Sequence, residues 1–164
     1  MTRSVALLRA INVGSNNRVP MAVLRDVFAA AGCTEVATLL NSGNVVFSGD
    51  PDPAVLEKWI AAETGVATRL LIVDAARLRR IAADMPFDGD ESKLAIAFMG
   101  SVPPDVIVPD GLGPELIQVG PDAVYQWLPD GVAATRLTPS FWKQFPPETT
   151  ARSLRTVKKL LAEL

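Results

Sequence analysis

The sequence predicts an α+β protein made of two ferredoxin-like subdomains packed together. The first 73 residues read strand, helix, strand, strand, helix, strand, which is the split βαβ order. The second half repeats a worn version of that pattern, which sets the subdomains at 1–73 and 74–164. With 164 residues, 49% of them hydrophobic and 21% charged, the chain can bury a core and is not disordered.

Ser4 to Ala10 is a short apolar run around Val5, Leu7 and Leu8 and reads as a buried strand. A polar loop, 12–19, follows. Pro20 stands at the first helical position, where its missing N–H costs nothing. Val23, Leu24, Val27 and Phe28 then recur at helical spacing through Ala31, and Gly32 ends the helix. Thr34–Leu40 and Val45–Ser48 are β-rich runs around Asn41-Ser42-Gly43-Asn44, a hairpin signal. Asp52 is placed to cap a helix through Val55, Leu56, Trp59 and Ile60 that ends near Gly65, and Ala67–Val73 supplies the fourth strand.

In the second half Asp74 caps a short helix carrying Leu78 and Ile81, which Pro86 stops. An acidic loop leads to a strand at Leu94–Met99. The Pro- and Gly-rich stretch 102–114 is too broken to assign and stands where a helix belongs. Leu116–Val119 and Ala123–Leu128 form a hairpin around Gly120-Pro121-Asp122. Thr138 and Pro139 open a helix through Phe141, Trp142 and Phe145, and a last helix runs from about Arg152 to the end.

Composition excludes several chemistries. There is no histidine, hence no Ser-His-Asp or Cys-His triad and no His-ligated metal. The single Cys33 excludes an internal disulfide and a Cys-cluster metal site, and fits a reducing, cytoplasmic setting. No cofactor is expected, and there is neither a Walker loop nor a G-x-G-x-x-G. No apolar run approaches the roughly 20 residues that span a bilayer, so no membrane is expected. The N-terminal MTRSVALLRAINVG reads as a strand, not a signal peptide.

The net charge of −2 argues against a dedicated nucleic-acid coat protein. It hides an uneven distribution: +2 over residues 1–82, −8 over 83–135 and +4 over 136–164. An acidic middle and a basic tail attract each other or face different partners, and neutralisation within the fold is the plainer reading.

Alternation along the strands puts Val5 and Leu7 on one sheet face, Ala6 and Leu8 on the other, with Val45 and Phe47 likewise opposed to Val46. Both faces are apolar, so both should be covered, one by helices and one by the other subdomain. RNA readers of this architecture stack bases on an open sheet with exposed aromatics. Here the first strand has none, and Phe47 alone makes no platform.

All five asparagines lie within residues 12–44. In the split βαβ order the outer strands one and two run parallel, so the loop after the first and the turn after the second emerge at one edge, beside the start of the first helix. Asn12, Asn16, Asn41, Ser42 and Asn44 should meet there with the helix's unpaired N–H groups, flanked by Arg9 and Arg18. Such a cluster suits an anion, a phosphate or a sugar-like ligand. The same residue types are also what tight turns require, and would serve equally to hold the two loops together. Arg152 joins the candidates if the basic tail turns inward toward this edge.

Other features carry less. Asp88, Asp90 and Glu91 suit a Mg²⁺ ion or, more simply, a solvated loop. Cys33 lacks the base a nucleophile needs and reads as a core thiol. Trp59, Trp142, Phe141 and Phe145 sit at core spacings. In the tail, Arg152, Arg155, Lys158 and Lys159 oppose Leu154, Val157, Leu160, Leu161 and Leu164, giving a basic amphipathic helix.

The segments Ala6-Leu7-Leu8-Arg9-Ala10-Ile11-Asn12-Val13-Gly14, Val19-Pro20-Met21 and Asn41-Ser42-Gly43-Asn44-Val45-Val46-Phe47 resemble, in order and spacing, a bacterial family known as domain of unknown function 1697. Tyr125, Leu128-Pro129-Asp130-Gly131, Ala151-Arg152 and Thr156-Val157 extend the resemblance over essentially the whole chain. It implies two ferredoxin-like subdomains and no established activity. The chain departs from the family pattern at Ala10 and Ser15, where glycine is common, at Ser153-Leu154-Arg155, which replace an Asn-Trp-Asn run, and after Pro103, where it is short.

The expected function is binding of a small anionic or polar ligand at the asparagine edge. The alternative is a nucleic-acid-binding or protein-interaction module using the basic tail helix, by salt-sensitive contacts in the first case. Enzyme activity is left open, since no catalytic set is legible. Oligomeric state is not legible either.

Overall fold

The structure is a computed structural model that describes residues 2–164. Two compact units emerge: Met1–Leu78 with Leu160–Leu164, and Arg79–Lys159.

In the first unit the order is β1 (Arg3–Leu8), α1 (Met21–Ala30), β2 (Thr34–Leu39), β3 (Asn44–Ser48), α2 (Pro53–Thr64) and β4 (Leu70–Asp74). The sheet runs β2-β3-β1-β4 with every neighbouring pair antiparallel. This is the ferredoxin-like order, and it leaves β1 and β2 parallel with β3 between them. On one face Ala6, Leu8, Val45, Phe47 and Leu70 pack against Leu24, Val27 and Phe28 of α1 and Leu56 and Ile60 of α2. Val5, Leu7 and Val46, on the opposite face, are also fully buried, as expected for strands apolar on both sides.

Local chemistry explains the helix ends. Pro20 is the N-cap of α1 with extended backbone (φ −64°, ψ 139°), one position before the helix proper. Asp52 Oδ1 accepts the Ala54 N–H at 2.9 Å and caps α2, whose chain leaves through Gly65 at φ +72°. Asp74 Oδ1 accepts the Arg77 N–H at 2.8 Å and starts α3 (Ala75–Ala83).

The second unit continues through β5 (Leu94–Phe98), β6 (Leu116–Val119), β7 (Ala123–Trp127), a 3-10 turn at Val132–Ala134, α4 (Pro139–Trp142), β8 (Thr150–Ser153) and α5 (Leu154–Ala162). Its sheet, β6-β7-β5-β8, repeats the topology of the first. No helix forms between β5 and β6. Instead Val102, Val106 and Leu112 of that irregular stretch pack on Ala97, Met99, Val124 and Phe141. Its backbone is held by a side chain: Gln144 Oε1 accepts the Ile107 N–H at 2.8 Å and Gln144 Nε2 donates to the Ile107 carbonyl at 3.0 Å.

Two expectations need correction here. The helix opened by Pro139 is one turn long; Phe141, Trp142 and Phe145 hold its continuation as an aromatic cluster, with ring centroids 4.9–5.5 Å apart. The last helix starts at Leu154, not near Arg152, because Thr150–Ser153 pairs as an antiparallel edge with β5. Among the described residues no helix is long and apolar enough to cross a membrane.

Candidate functional site

The loop after β1 and the β2–β3 turn meet. Asn12 Nδ2 donates to the Asn41 carbonyl at 2.8 Å and to the Val19 carbonyl at 3.0 Å, while Asn12 Oδ1 accepts the Val19 N–H at 2.8 Å. One carboxamide therefore ties three points: its own loop, the entrance of α1 and the hairpin. Asn44, fully buried at the start of β3, donates through Nδ2 to the Leu39 carbonyl and to Ser42 Oγ, both at 2.9 Å. Asn17 Nδ2 donates to the Ala10 carbonyl at 3.1 Å. The amide groups of Asn12 and Asn44 thus fasten the two loops from within.

The backbone explains why these residue types are needed. Ala10, Asn12, Asn17 and Leu40 all have φ between +52° and +59°, a region asparagine tolerates and alanine or leucine occupies at a cost. Ala10 is one of the positions where the resembling family commonly has glycine, for which this conformation carries no strain. A third segment closes the loop from the other side: Arg9 N–H donates to the Arg69 carbonyl at 2.9 Å, and Thr68 Oγ1 donates to the Arg9 carbonyl at 2.8 Å.

What remains open is a cavity of about 170 Å³ lined by Asn12, Arg18, Val19, Pro20, Met21 and Asn41. No side chain caps α1, so its first N–H groups are directed out of the helix start. Arg18 and Asn41 are exposed, and among the described residues neither side chain has a hydrogen-bond or ion-pair partner. Asn16 is exposed on the loop tip, where its N–H donates to the Val13 carbonyl, and it does not line the cavity. Arg9 and Ser42 are exposed at the same edge and do not line it either.

Arg152 belongs to β8 of the second unit. Its Nη1 donates to Thr150 Oγ1 at 2.7 Å and to the Ala151 carbonyl at 2.9 Å, and burial pushes its pKa down to about 10. The basic face of the tail is correspondingly smaller than a helix from Arg152 implies, and Lys158 is paired with Glu91.

The other candidates resolve simply. Asp90 Oδ1 accepts from Ser92 N–H and Oγ, which holds its carboxyl below the usual range. Among the described residues no group of three potential metal-ligating side chains is assembled. Cys33 is buried, and its thiol is pushed up by desolvation and then by Asp50. Phe47 is fully buried with its ring 5.2 Å from that of Phe28, so no aromatic of β3 faces solvent. Trp59 departs from the expected core role: it is 37% exposed. The signal was present, because Leu56 and Ile60 already fill the buried face of α2 and place Trp59 beside it.

Fold and site together define an α+β protein with two sheets of ferredoxin-like topology and a loop-locked edge on the first. The profile of the protein of unknown function family DUF1697 matches residues 1–112, and the chain belongs to that family. The conserved bacterial protein SP0830 from Streptococcus pneumoniae is similar in structure over 99% of this chain and 98% of its own, with a TM-score of 0.68 and 20% identity. That similarity shows the fold. No curated protein matches the chain.

Proposed function

We propose that the protein binds a small anionic or polar ligand at the asparagine-rich edge of its first unit. The observation that carries this reading is the cavity of about 170 Å³ where Arg18, Asn41 and the uncapped start of α1 converge. A helix start concentrates donor groups and about half a positive charge, and a guanidinium adds a full one. The ligand contacts are Arg18, Asn41 and the backbone at Met21; Asn12 and Asn44 set the geometry of the two loops. A cytoplasmic location fits a chain whose lone cysteine is a buried thiol.

The test is a thermal-shift and calorimetric screen of inorganic phosphate, nucleotides and sugar phosphates. Binding that weakens about tenfold in Arg18→Ala, with no loss of stability, supports the reading. Absence of any stabilising compound, or binding indifferent to Arg18→Ala and Asn41→Ala, removes it.

The alternative partner for the basic tail, a nucleic acid or another protein, has less to stand on. Arg152 is mostly buried on a strand and the exposed Lys158 is engaged by Glu91, which leaves Arg155 and Lys159 as the exposed cations of α5 outside an ion pair among the described residues.

A further inference from the structure

A second cavity, of about 440 Å³, lies between α1 and α2 and shares no residue with the one at the start of α1. Val23, Asp26, Val27 and Ala30 line it from α1, at the i, i+3, i+4, i+7 spacing of one helix face, and Trp59 and Glu63, one turn apart, line it from α2. Three features combine. The floor is aliphatic. Trp59 is 37% exposed on a helix whose Leu56 and Ile60 are fully buried. Asp26 and Glu63 are exposed carboxylates that, among the described residues, have neither a hydrogen bond nor an ion pair.

These features select a class of occupant. An anion is repelled by two carboxylates. A neutral apolar molecule would displace water from both without replacing the lost interaction. A cation with a hydrocarbon body satisfies all three features, because an aromatic face attracts a cation through its quadrupole and the carboxylates add charge attraction. The cavity is also of the size small-molecule sites usually have, about 300–1,000 Å³. We propose that the α1–α2 groove binds a small aliphatic ammonium ion, its charge recognised by Trp59, Asp26 and Glu63 and its carbon skeleton by Val23, Val27 and Ala30. This inference does not depend on the anion site.

Calorimetric titration of the full chain with choline and with putrescine tests it, using 3,3-dimethylbutan-1-ol as the uncharged counterpart of choline. The expected result is saturable binding of at least one cation, with the alcohol about tenfold weaker or silent. The double variant Asp26→Asn, Glu63→Gln and the single variant Trp59→Leu should each weaken binding about tenfold while leaving the thermal midpoint near that of the native chain, since all three side chains are exposed. The proposal is overturned if neither cation binds, if the alcohol binds as well as choline, or if the variants bind as the native chain does. Binding of a lysine-rich peptide with silence toward both small cations also overturns it and assigns the groove to a protein partner. Phosphate affinity measured on the same variants reports separately on the site at Arg18.

Discussion

Asn12 donates a hydrogen bond to the backbone carbonyl of Asn41, 29 residues away, at 2.8 Å. The bond joins the loop that follows β1 to the turn that follows β2, and it exists because those strands run parallel and finish at one edge of the sheet. With its two further bonds to Val19, the side chain uses both amide hydrogens and accepts at its oxygen. A residue so engaged is a fastener, which separates what shapes the site from what can touch a ligand.

Asn12→Ala removes three hydrogen bonds from a partly buried position, and a loss of roughly 1–3 kcal/mol is expected. Asn16→Ala, whose side chain bonds nothing among the described residues, should change stability by less than about 0.5 kcal/mol. Urea midpoints of the two variants measured side by side check this. Equal shifts would remove the locking role.

Gly43 has φ +91°, and a Cβ there would lie 2.8 Å from both Leu8 Cβ and Ile11 Cδ1. Gly14, at φ +59°, has open space around it. Gly43→Ala combines strain with a clash and should lose about 2–4 kcal/mol, whereas Gly14→Ala should lose about 1 kcal/mol. Thermal unfolding of both variants discriminates the two terms.

Tyr125 OH donates to the Ile81 carbonyl at 2.7 Å from a buried position, and burial, with Asp84 and Asp122 adding to it, pushes its pKa up to about 12. Its neutral form is favoured in the folded state, so its contribution is complete below pH 10 and is lost as the pH rises toward 12. Tyr125→Phe should lower stability by about 1 kcal/mol at pH 7 and flatten the decline between pH 10 and 12. Urea midpoints from pH 8 to 12, native against Tyr125→Phe, give the readout. An unchanged alkaline slope would show that Tyr125 does not titrate in this range.

Phe47→Ala should cost about 3–5 kcal/mol, because the ring is fully buried against Phe28. If Phe47 stacked nucleic-acid bases it would have to be exposed, and its loss would lower RNA affinity more than stability. Circular-dichroism melts beside an RNA-binding assay separate the two.

Much of this was legible beforehand, for identifiable reasons. Asp52 and Gly65 bound α2 because a carboxylate and a left-handed glycine are strong local signals. The meeting of Asn12 with Asn41 followed from strand order alone. The short edge β8 escaped because Thr150-Ala151-Arg152-Ser153 has four residues and one large apolar neighbour, Leu154, which reads equally well as the first turn of a helix. Which atoms the asparagines would bond was beyond the sequence, since turn-holding and ligand-holding use the same side chains. No local pattern assigns the stretch 102–114, because its backbone is held at Ile107 by Gln144, 37 residues further on.

The chain comes back to its first unit at Leu160, a fully buried residue, and Arg3 reaches the carbonyl of Glu163 at 3.1 Å. The Arg79–Lys159 unit is therefore, in connectivity, an insertion between two pieces of the other. During synthesis β1 emerges well before Leu160–Leu164, with 160 positions between Arg3 and Glu163, so the first unit reaches its full complement only after the second has been made.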